Sequence, residues 1–379
     1  MLAAAAWRFR RNPDKAVRTE ELPPVSVLKP LCGLEPGLEE NLEGFFLQDY
    51  PCYELLFIFH SPLDPALAVV ERLRARHPMV TARVYFSGEP DKPNAKVCSL
   101  REAYAHAAYE YLVISDSDVQ VTPGYLRAVV PPLLDPKVGV VTCLYRGIAS
   151  GGPWSRLEAL GMGVEMTAGV VISGLMGELN FALGPSMSTR RDVLRTIGGF
   201  DRMADYCADD FVLGNWAHRA GYKVHLSRHV IGHVAMNRGF LDSMLHQVRW
   251  MRSTRFSLPA GHALSVLSFA MPFGLLLAAI FEAGHRPLLA LTALAVAVGN
   301  RMLMSCLAGG FVTRDKASVA FCWLYPVRDL MGFFFWCASY LGNTILWRQQ
   351  QYRLMEEGRM ERCTPLPSDV EVAAGEGLS

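Results

Sequence analysis

The chain has 379 residues, of which 51% are hydrophobic, and a formal net charge of +1. It is long enough to bury a sizeable core, and its near-neutral charge, with basic residues spread along the chain, gives no electrostatic case for a nucleic-acid partner. The mean hydropathy of +0.18 is high for a wholly soluble protein, so part of the chain is expected to contact lipid. Nine single cysteines without a C-x-x-C pair favour a reducing compartment.

The first 22 residues form a short apolar and basic segment. Its apolar part, Met1 to Trp7, is far shorter than the roughly 20 residues that a helix needs to cross a bilayer. We therefore interpret it as either an interfacial anchor or the remainder of a longer anchor.

Strands and helices alternate in the next part of the chain. The hydrophobic pattern predicts strands at residues 25–28, 55–59 and 82–86, and helices at 38–46, 66–76 and 99–108. Such alternation predicts a parallel sheet in an α/β domain, with the organisation of a nucleotide-binding half.

Two carboxylates follow the next apolar strand. The stretch from Tyr111 to Val121 reads Tyr-Leu-Val-Ile-Ser-Asp-Ser-Asp-Val-Gln-Val, so the strand presents Asp116 and Asp118. Because side chains alternate along a strand, the two acids are expected to point the same way, over the crevice at the carboxyl ends of the strands. Mg²⁺ or Mn²⁺ carrying phosphates would suit this pair. The alternative is a polar turn that closes the strand.

The segment after the next predicted strand, residues 138–144, is weakly polar. Gly151-Gly152-Pro153 interrupts the chain, and Met166 to Gly177 carries no charge but is bounded by Glu165 and Glu178. These bounds leave too few residues to cross a membrane. The segment is expected to be an interfacial or acceptor-facing helix, or an ordinary core helix.

A second acid pair, Asp209 and Asp210, precedes a predicted helix at 212–220. One of the two is explained as a helix cap, because acids are favoured at helix N-termini. The other is a candidate general base, placed where an acceptor hydroxyl would approach. The evenly spaced His225, His229 and His233 lie in extended sequence, which spreads them too far apart to favour a zinc site.

Residues 241–252 have helical periodicity, with Gln247, Arg249 and Trp250 near the end. Arg249 is a candidate for holding a diphosphate, and Trp250 for stacking on a sugar or nucleobase. The alternative is a basic helix that lies on lipid headgroups.

Long apolar segments follow at residues 262–281, 287–307 and 318–347. The third is broken by Pro326, Arg328 and Asp329, so it is expected to be a re-entrant hairpin rather than a simple span. The arginines that precede the first segment, at positions 238, 249, 252 and 255, predict a cytoplasmic location for the residues before it. The predicted organisation is a short segment at 1–22, a catalytic domain at 23–260, a membrane domain with two or three spans at 261–348, and a polar tail at 349–379, disordered after Pro365.

The order of the motifs resembles ceramide glucosyltransferases and their bacterial relatives. The residues that carry the resemblance are Val-Ser-Val-Leu-Lys29-Pro30-Leu-Cys-Gly33-Leu-Glu-Pro, Asn41-Leu-Glu-Gly-Phe-Phe-Leu-Gln-Asp49-Tyr50-Pro51, Asp64-Pro65-Ala66, Asn94-Ala-Lys96-Val, Asp116-Ser-Asp118, Ala208-Asp209-Asp210-Phe211 and Gln247-Val-Arg249-Trp250. A bacterial branch, the hopanoid glycosyltransferases that attach N-acetylglucosamine to bacteriohopanetetrol, is similarly close around Val141 to Gly147.

This resemblance implies a GT-A fold and an inverting, metal-assisted transfer of glucose or N-acetylglucosamine from a UDP-sugar to a lipid hydroxyl. It also implies a bacterial inner-membrane enzyme with a lipid acceptor. It assigns the base to Asp210, the metal to Asp118 and Asp116, and donor binding to a set that comprises Lys29, Asp64, Lys96, Asp116, Gln247, Arg249 and Trp250.

Two departures from the family pattern concern the anchor and the acceptor. The family's N-terminal anchor is absent or truncated, and the histidine that eukaryotic ceramide enzymes carry between the second and third acids has no match in residues 165–184. The missing histidine weakens the resemblance for ceramide as the acceptor more than it weakens the resemblance for glycosyl transfer. The other functions considered are a processive polysaccharide synthase, for which few spans remain to build a channel, and a non-catalytic membrane scaffold, against which the intact acids argue.

Overall fold

A computed structural model describes residues 1–11, 18–235, 239–347 and 350–363. Its strands are β1 (Val25–Pro30), β2 (Tyr53–Phe59), β3 (Thr81–Phe86), β4 (Tyr111–Ser115), β5 (Val119–Gln120), β6 (Val138–Ala149), β7 (Ser186–Arg190), β8 (Lys223–Ala235), β9 (Thr344–Trp347), β10 (Gln350–Leu354) and β11 (Met360–Arg362). Its α-helices are α1 (Leu2–Arg11), α2 (Leu38–Phe46), α3 (Leu67–Arg76), α4 (Ala95–His106), α5 (Tyr125–Val129), α6 (Gly152–Met176), α7 (Arg191–Ile197), α8 (Gly199–Met203), α9 (Asp209–Arg219), α10 (Phe240–Ser257), α11 (Pro259–Leu264), α12 (Met271–Ala283), α13 (Pro287–Met304), α14 (Lys316–Ala320) and α15 (Tyr325–Ser339).

An eight-stranded sheet in the order β3-β2-β1-β4-β7-β6-β8-β5 forms the centre of the half of the chain that is predicted to be catalytic. Strands β1 to β4 are parallel, as their alternation with helices predicts. Central strands such as β2 are apolar on both faces because helices cover both sides, and residues 55–59 are fully buried. Strand β7 runs antiparallel to both of its neighbours. The predicted α/β fold of this half is confirmed.

Helix α6 corrects the prediction for the segment around Met166. The chain forms one helix of 25 residues from Gly152 to Met176, rather than a short helix bounded by Glu165. Pro153 lies in the first turn, where its missing N–H costs nothing, so it begins the helix. Glu165 and Glu158 remain inside the helix because each has a partner on another helix. The helix is therefore long enough to cross a bilayer, although more than half of its most apolar window is buried in the protein.

The segment Pro287–Val312, which is α13 continued by a π-helix, is the second helix that is long and apolar enough to cross a membrane. Only 22% of its most apolar window is buried, as expected for a helix that faces lipid. Residues 259–268 and 271–283 would add a third span if counted together, although they meet at a bend of 50°. The predicted segment at 318–347 is instead the 15-residue helix α15, too short to span, followed by β9.

The two ends of the chain pack on the rest of the protein. Helix α1 buries Ala5, Ala6 and Phe9. Strands β9 to β11 form a small antiparallel sheet, and Met360 N–H donates to the Asp205 carbonyl over 2.7 Å. The sequence did not predict strands within the polar tail. The part of that tail after Pro365, and Arg238, lie outside the described residues.

Candidate active site

The crevice at the carboxyl ends of β1 and β4 is where the strand order reverses, the usual place for a ligand in an open α/β sheet. Lys29 lies near the end of β1 and is fully buried. Its ammonium donates to the carbonyl of Asp116 and lies 3.9 Å from the ring centroid of Phe45. Burial lowers the pKa of Lys29 to about 7. Lys29 therefore supports the backbone that carries the first acid.

Asp116 and Asp118 lie in a turn after β4, which ends at Ser115. The prediction that the two side chains point the same way rests on the alternation of side chains along a strand. That reason is wrong, because neither residue lies in the strand. Each carboxylate is instead oriented by its own basic partner. The interpretation of a polar turn is correct for the backbone, and the side chains still form charged contacts.

Lys96 joins two acids from different parts of the chain. Its Nζ lies 2.7 Å from Asp116 Oδ1 and 3.0 Å from Asp209 Oδ2. We call Lys96, Asp116 and Asp209 the donor cluster, after the donor binding that the resemblance predicts for Lys96 and Asp116. Although burial opposes a charge on Lys96, the two carboxylates raise its pKa above the ordinary value. A small pocket beside the donor cluster is lined by Pro30, Leu31, His60, Lys96, Ser99, Asp116 and Ser117.

Asn94 explains why Lys96 reaches both acids. Its side chain caps α4 by accepting from the Val97 N–H over 3.1 Å, so α4 begins at Ala95 instead of Ser99. The Asn94 amide also donates to the carbonyl of Tyr206 over 2.8 Å. The start of α4 and the loop before Asp209 are thus held together.

Asp118 is paired with His233 on β8, and 3.1 Å separates His233 Nε2 from Asp118 Oδ2. Burial opposes both charges, but the attraction between the two groups lowers the pKa of Asp118 and raises that of His233. Sequence reasoning missed this role of His233, since it is visible only after Val119 pairs with His233 across β5 and β8. His229, by contrast, lies 3.4 Å from the Thr122 hydroxyl.

The carboxylate of Asp210 is held by two backbone amides. Oδ2 accepts from Gly184 N–H and Oδ1 from Phe211 N–H, each over 2.8 Å. Burial, followed by the neighbouring charge of Asp209, raises the pKa of Asp210 to about 6. A side chain at position 184 would come within 3.1 Å of Oδ2, so glycine permits this approach. The site thus contains an oriented carboxylate with a pKa suited to general-base chemistry near neutral pH.

Asp209 does not cap α9, contrary to the prediction. The N-cap residue is Ala208, which makes no side-chain cap hydrogen bond. The carboxylate of Asp209 is directed to Lys96 instead. Its contribution is therefore to the electrostatics of the donor cluster and of Asp210.

Helix α10 carries the three residues predicted near its end, and they face different neighbours. The ring of Trp250 lies 4.3 Å from that of His246 and 6.5 Å from that of His233, which places it on the Asp118 side. Gln247 accepts from Arg328 over 2.6 Å. The guanidinium of Arg249 lies 5.7 Å from the Trp347 ring on β9.

Asp64 organises the loop that follows β1. Its carboxylate accepts from Gly33 N–H over 2.9 Å and from Ala66 N–H over 2.9 Å. Gly33 has a φ of +76°, a conformation that favours glycine. Asp64 thus fixes a loop at the carboxyl end of β1, and its contact with a donor stays a prediction.

The sequence profile of glycosyl transferase family 21 matches residues 1–360, nearly the whole chain. The chain belongs to glycosyl transferase family 21. The predictions that it is a glycosyltransferase and that it resembles ceramide glucosyltransferases are therefore confirmed.

Two relatives of this family 21 protein are similar over most of its length. Ceramide glucosyltransferase 1 of Caenorhabditis elegans is 27% identical over 362 residues, which cover 93% of this chain and 77% of the relative. Ceramide glucosyltransferase 3 of the same organism is 28% identical, covering 95% and 79%. The ceramide glucosyltransferase of Komagataella phaffii is 36% identical over a shorter region, 31% of this chain and 24% of the relative.

A solved structure supports the GT-A fold of the family 21 protein. The mannosyltransferase of Pyrobaculum calidifontis, in complex with GDP-Man and Mn²⁺, superposes with a TM-score of 0.57 and 21% identity. The match covers 89% of this chain and 92% of that structure. The predicted fold class is confirmed.

The acids of the family 21 site fit a divalent cation that is shared with a ligand. Asp118 Oδ1 is buried and has no hydrogen-bond partner within the described ranges. The same ranges contain no group of three or more His, Cys, Asp or Glu side chains placed to hold a metal ion on their own. Mg²⁺ and Mn²⁺ commonly take one or two carboxylates and complete their shell with phosphate oxygens, which suits Asp118 and Asp116.

Proposed function

We propose that this protein is a membrane-bound, inverting glycosyltransferase that moves a hexose, glucose or N-acetylglucosamine, from a UDP-sugar to a lipid hydroxyl. The observation that carries the proposal is the position of Asp210. Its carboxylate is held by two amides, has a pKa of about 6, and follows directly on Asp209 of the donor cluster. A base beside a diphosphate-binding crevice is what a direct displacement at the anomeric carbon requires.

In the proposed reaction, Asp210 accepts the proton of the acceptor hydroxyl. The hydroxyl oxygen attacks the anomeric carbon from the face opposite the leaving diphosphate, so the configuration inverts. Lys96 orients Asp116 and Asp209, and His233 orients Asp118. A divalent cation held by Asp118 and Asp116 would supply positive charge to the departing diphosphate.

Helix α10 is proposed to line the junction between donor and acceptor. Trp250, on the Asp118 side, is suited to stack on the sugar or the nucleobase. Arg249 is proposed to pair with the diphosphate, for which its planar guanidinium is suited. Lys29 and Asp64 hold the two loops that shape the donor crevice, through the Asp116 carbonyl and the Gly33 amide.

The lipid acceptor is proposed from the membrane half and from the relatives. Pro287–Val312 is apolar and exposed, as expected for a helix in contact with lipid, so the acceptor is proposed to be a molecule held in the bilayer. The similar proteins of Caenorhabditis elegans are ceramide glucosyltransferases, which favours a ceramide-like lipid as the acceptor and glucose as the sugar.

The experiment that tests the function is transfer by the purified full chain in detergent with lipid extract. UDP-glucose, UDP-N-acetylglucosamine and GDP-mannose are compared, each with and without lipid. We expect UDP release that depends on lipid, together with a labelled glycolipid. No lipid-dependent release from any of the three donors, with donor binding intact, would favour the non-catalytic scaffold, and a labelled polymer would favour the polysaccharide synthase.

The catalytic half is proposed to face the cytoplasm of a bacterial cell as part of a multi-pass protein. In the structure, Arg252 and Arg255 donate to backbone carbonyls of residues 341, 342 and 344, at the end of α15. The basic end of α10 therefore stays next to the membrane half. Protease added to sealed, right-side-out vesicles should leave residues 23–260 intact, whereas cleavage there would reverse the orientation.

A further inference from the structure

We infer that Arg328 is a positioning residue that fixes Gln247 of the α10 helix, and with it the junction of donor and acceptor. Arg328 interrupts the third apolar segment of the sequence, and the structure gives this charge a place inside the protein. Its side chain is 4% exposed. This inference rests on the proposed glycosyl transfer.

One nitrogen of Arg328 links three helices. Nη2 donates to Gln247 Oε1 on α10 over 2.6 Å and to Glu165 Oε2 on α6 over 3.1 Å. We call Glu165, Gln247 and Arg328 the helix junction. The neighbouring Asp329 accepts from Met271 N–H at the start of α12 over 2.8 Å and pairs with Arg301 on α13 over 2.9 Å. Helix α15 thus joins the lipid-facing helices to the catalytic helix.

Polar contacts continue from Gln247 toward the donor site. The Gln247 amide lies 3.5 Å from Ser243 Oγ, which donates to Glu158 over 2.6 Å. Glu158 also contacts His246 over 2.8 Å, and the ring of His246 lies against Trp250. A shift of Gln247 is therefore expected to move the residues of α10 that face Asp118.

The packing leaves no room for a ligand at this guanidinium. A Cβ on Gly161 would lie 2.2 Å from Arg328 Nε, and a Cβ on Gly332 would lie 3.1 Å from Nη1. Nε and Nη1 have no hydrogen-bond partner within the described ranges. A buried ion pair with unsatisfied donors is poor support for stability, so positioning is the role that fits its desolvation cost.

Gly161→Ala provides the sharpest variant, because the added methyl group meets the movable end of Arg328 and displaces it without removing a charge. Gly169→Ala on the same helix is the matched control, since nothing lies within 4 Å of its Cβ. We expect Gly161→Ala to lower kcat by about 10-fold or more at saturating donor and to leave UDP affinity close to wild type, with a lower unfolding temperature because a packed side chain is displaced. The control should transfer at the wild-type rate.

A double-variant cycle tests whether Arg328 acts through Gln247. Arg328→Met and Gln247→Met should each lower kcat, and the combined variant should be no slower than the worse single variant. Arg286→Met, at an exposed arginine, is the control.

Two results would overturn the inference. One is a wild-type kcat in Gly161→Ala, and the other is a combined variant whose loss of kcat is the product of the two single losses. If Arg328→Met does not fold, Gly161→Ala decides alone, and if the wild type transfers no sugar, the proposed function fails instead.

Discussion

The donor cluster and the helix junction use the same chemistry in different surroundings. Both place a basic side chain between two groups from distant parts of the chain. The side chain of Asp116 is 28% exposed beside a pocket, whereas that of Arg328 is 4% exposed between two glycines. In the proposed roles, open space beside a charge pair, rather than the pair itself, distinguishes a ligand site from a positioning contact.

The largest effect is expected for Asp118→Ala, because its Oδ1 is buried and has no hydrogen-bond partner within the described ranges, which leaves it available to a cation. The variant should lose transfer in Mg²⁺ or Mn²⁺, by roughly 10³-fold or more, while remaining folded. Transfer rates are measured beside thermal unfolding, with Asp201→Ala, whose side chain is 76% exposed, as the control. Full activity of the Asp118 variant, or of wild type in EDTA, would contradict a metal role.

Lys96→Met should have the next largest effect, a loss of stability together with a shift of the pH–rate profile. The variant leaves Asp116 and Asp209 without the ammonium group that they share. Removing one partner of a buried pair is expected to cost on the order of 3 kcal/mol of stability. The charge of Lys96 also lowers the pKa of Asp210, so its loss should raise that pKa and move the acidic limb of the pH–rate profile to higher pH. An unfolding temperature and a pH–rate profile that are both unchanged would refute the proposed role of Lys96 in the donor cluster.

Asp209→Asn should have the smallest effect on stability, about 1 kcal/mol, because the amide oxygen of Asn can still accept from Lys96 and Lys96 keeps its contact with Asp116. Here the charge that is removed raises the pKa of Asp210, so the acidic limb should move to lower pH, opposite to Lys96→Met. The pH dependence of single-turnover transfer in both variants measures the two shifts. Shifts in the same direction would show that Lys96 and Asp209 do not set the pKa of Asp210 in the proposed way.

Local sequence was enough to predict the elements around the donor crevice. Helix α2 has the predicted bounds, and β2 and α3 differ by one or two residues, because apolar runs and helical periodicity record burial directly. The position after a strand predicts the acids at 116 and 118, and the position before a helix predicts the pair at 209 and 210, whereas the choice of Asp210 as the base rests on the family resemblance. Their partners could not be found in this way, since Lys96 and His233 reach them across the fold.

The elements that the sequence did not predict depend on distant contacts. The sequence pattern predicts too short a helix for α6 because Glu165 bounds the apolar run, whereas in the structure Glu165 pairs with Arg328 over 3.1 Å and the helix continues through it. Strand β7 is rich in serine, and its Ser186 is buried because the Tyr125 hydroxyl contacts it over 2.7 Å. Strands β9 to β11 pack around Cys207, a contact that no local pattern records.

The measurement that tests the assignment of Asp210 most directly is the pH dependence of single-turnover transfer in wild type and Asp210→Asn, with UDP affinity measured by titration calorimetry. The pKa of Asp210 is about 6, so below that pH its carboxylate is protonated and cannot take the proton of the lipid hydroxyl. The wild-type rate should therefore rise with pH and level off above about pH 6. Asp210→Asn should bind UDP normally and transfer at least roughly 10²-fold more slowly than wild type. Its rate should also lack the rise with pH below about pH 6. Equal rates, or the same limb in the variant, would contradict the assignment of Asp210 as the base.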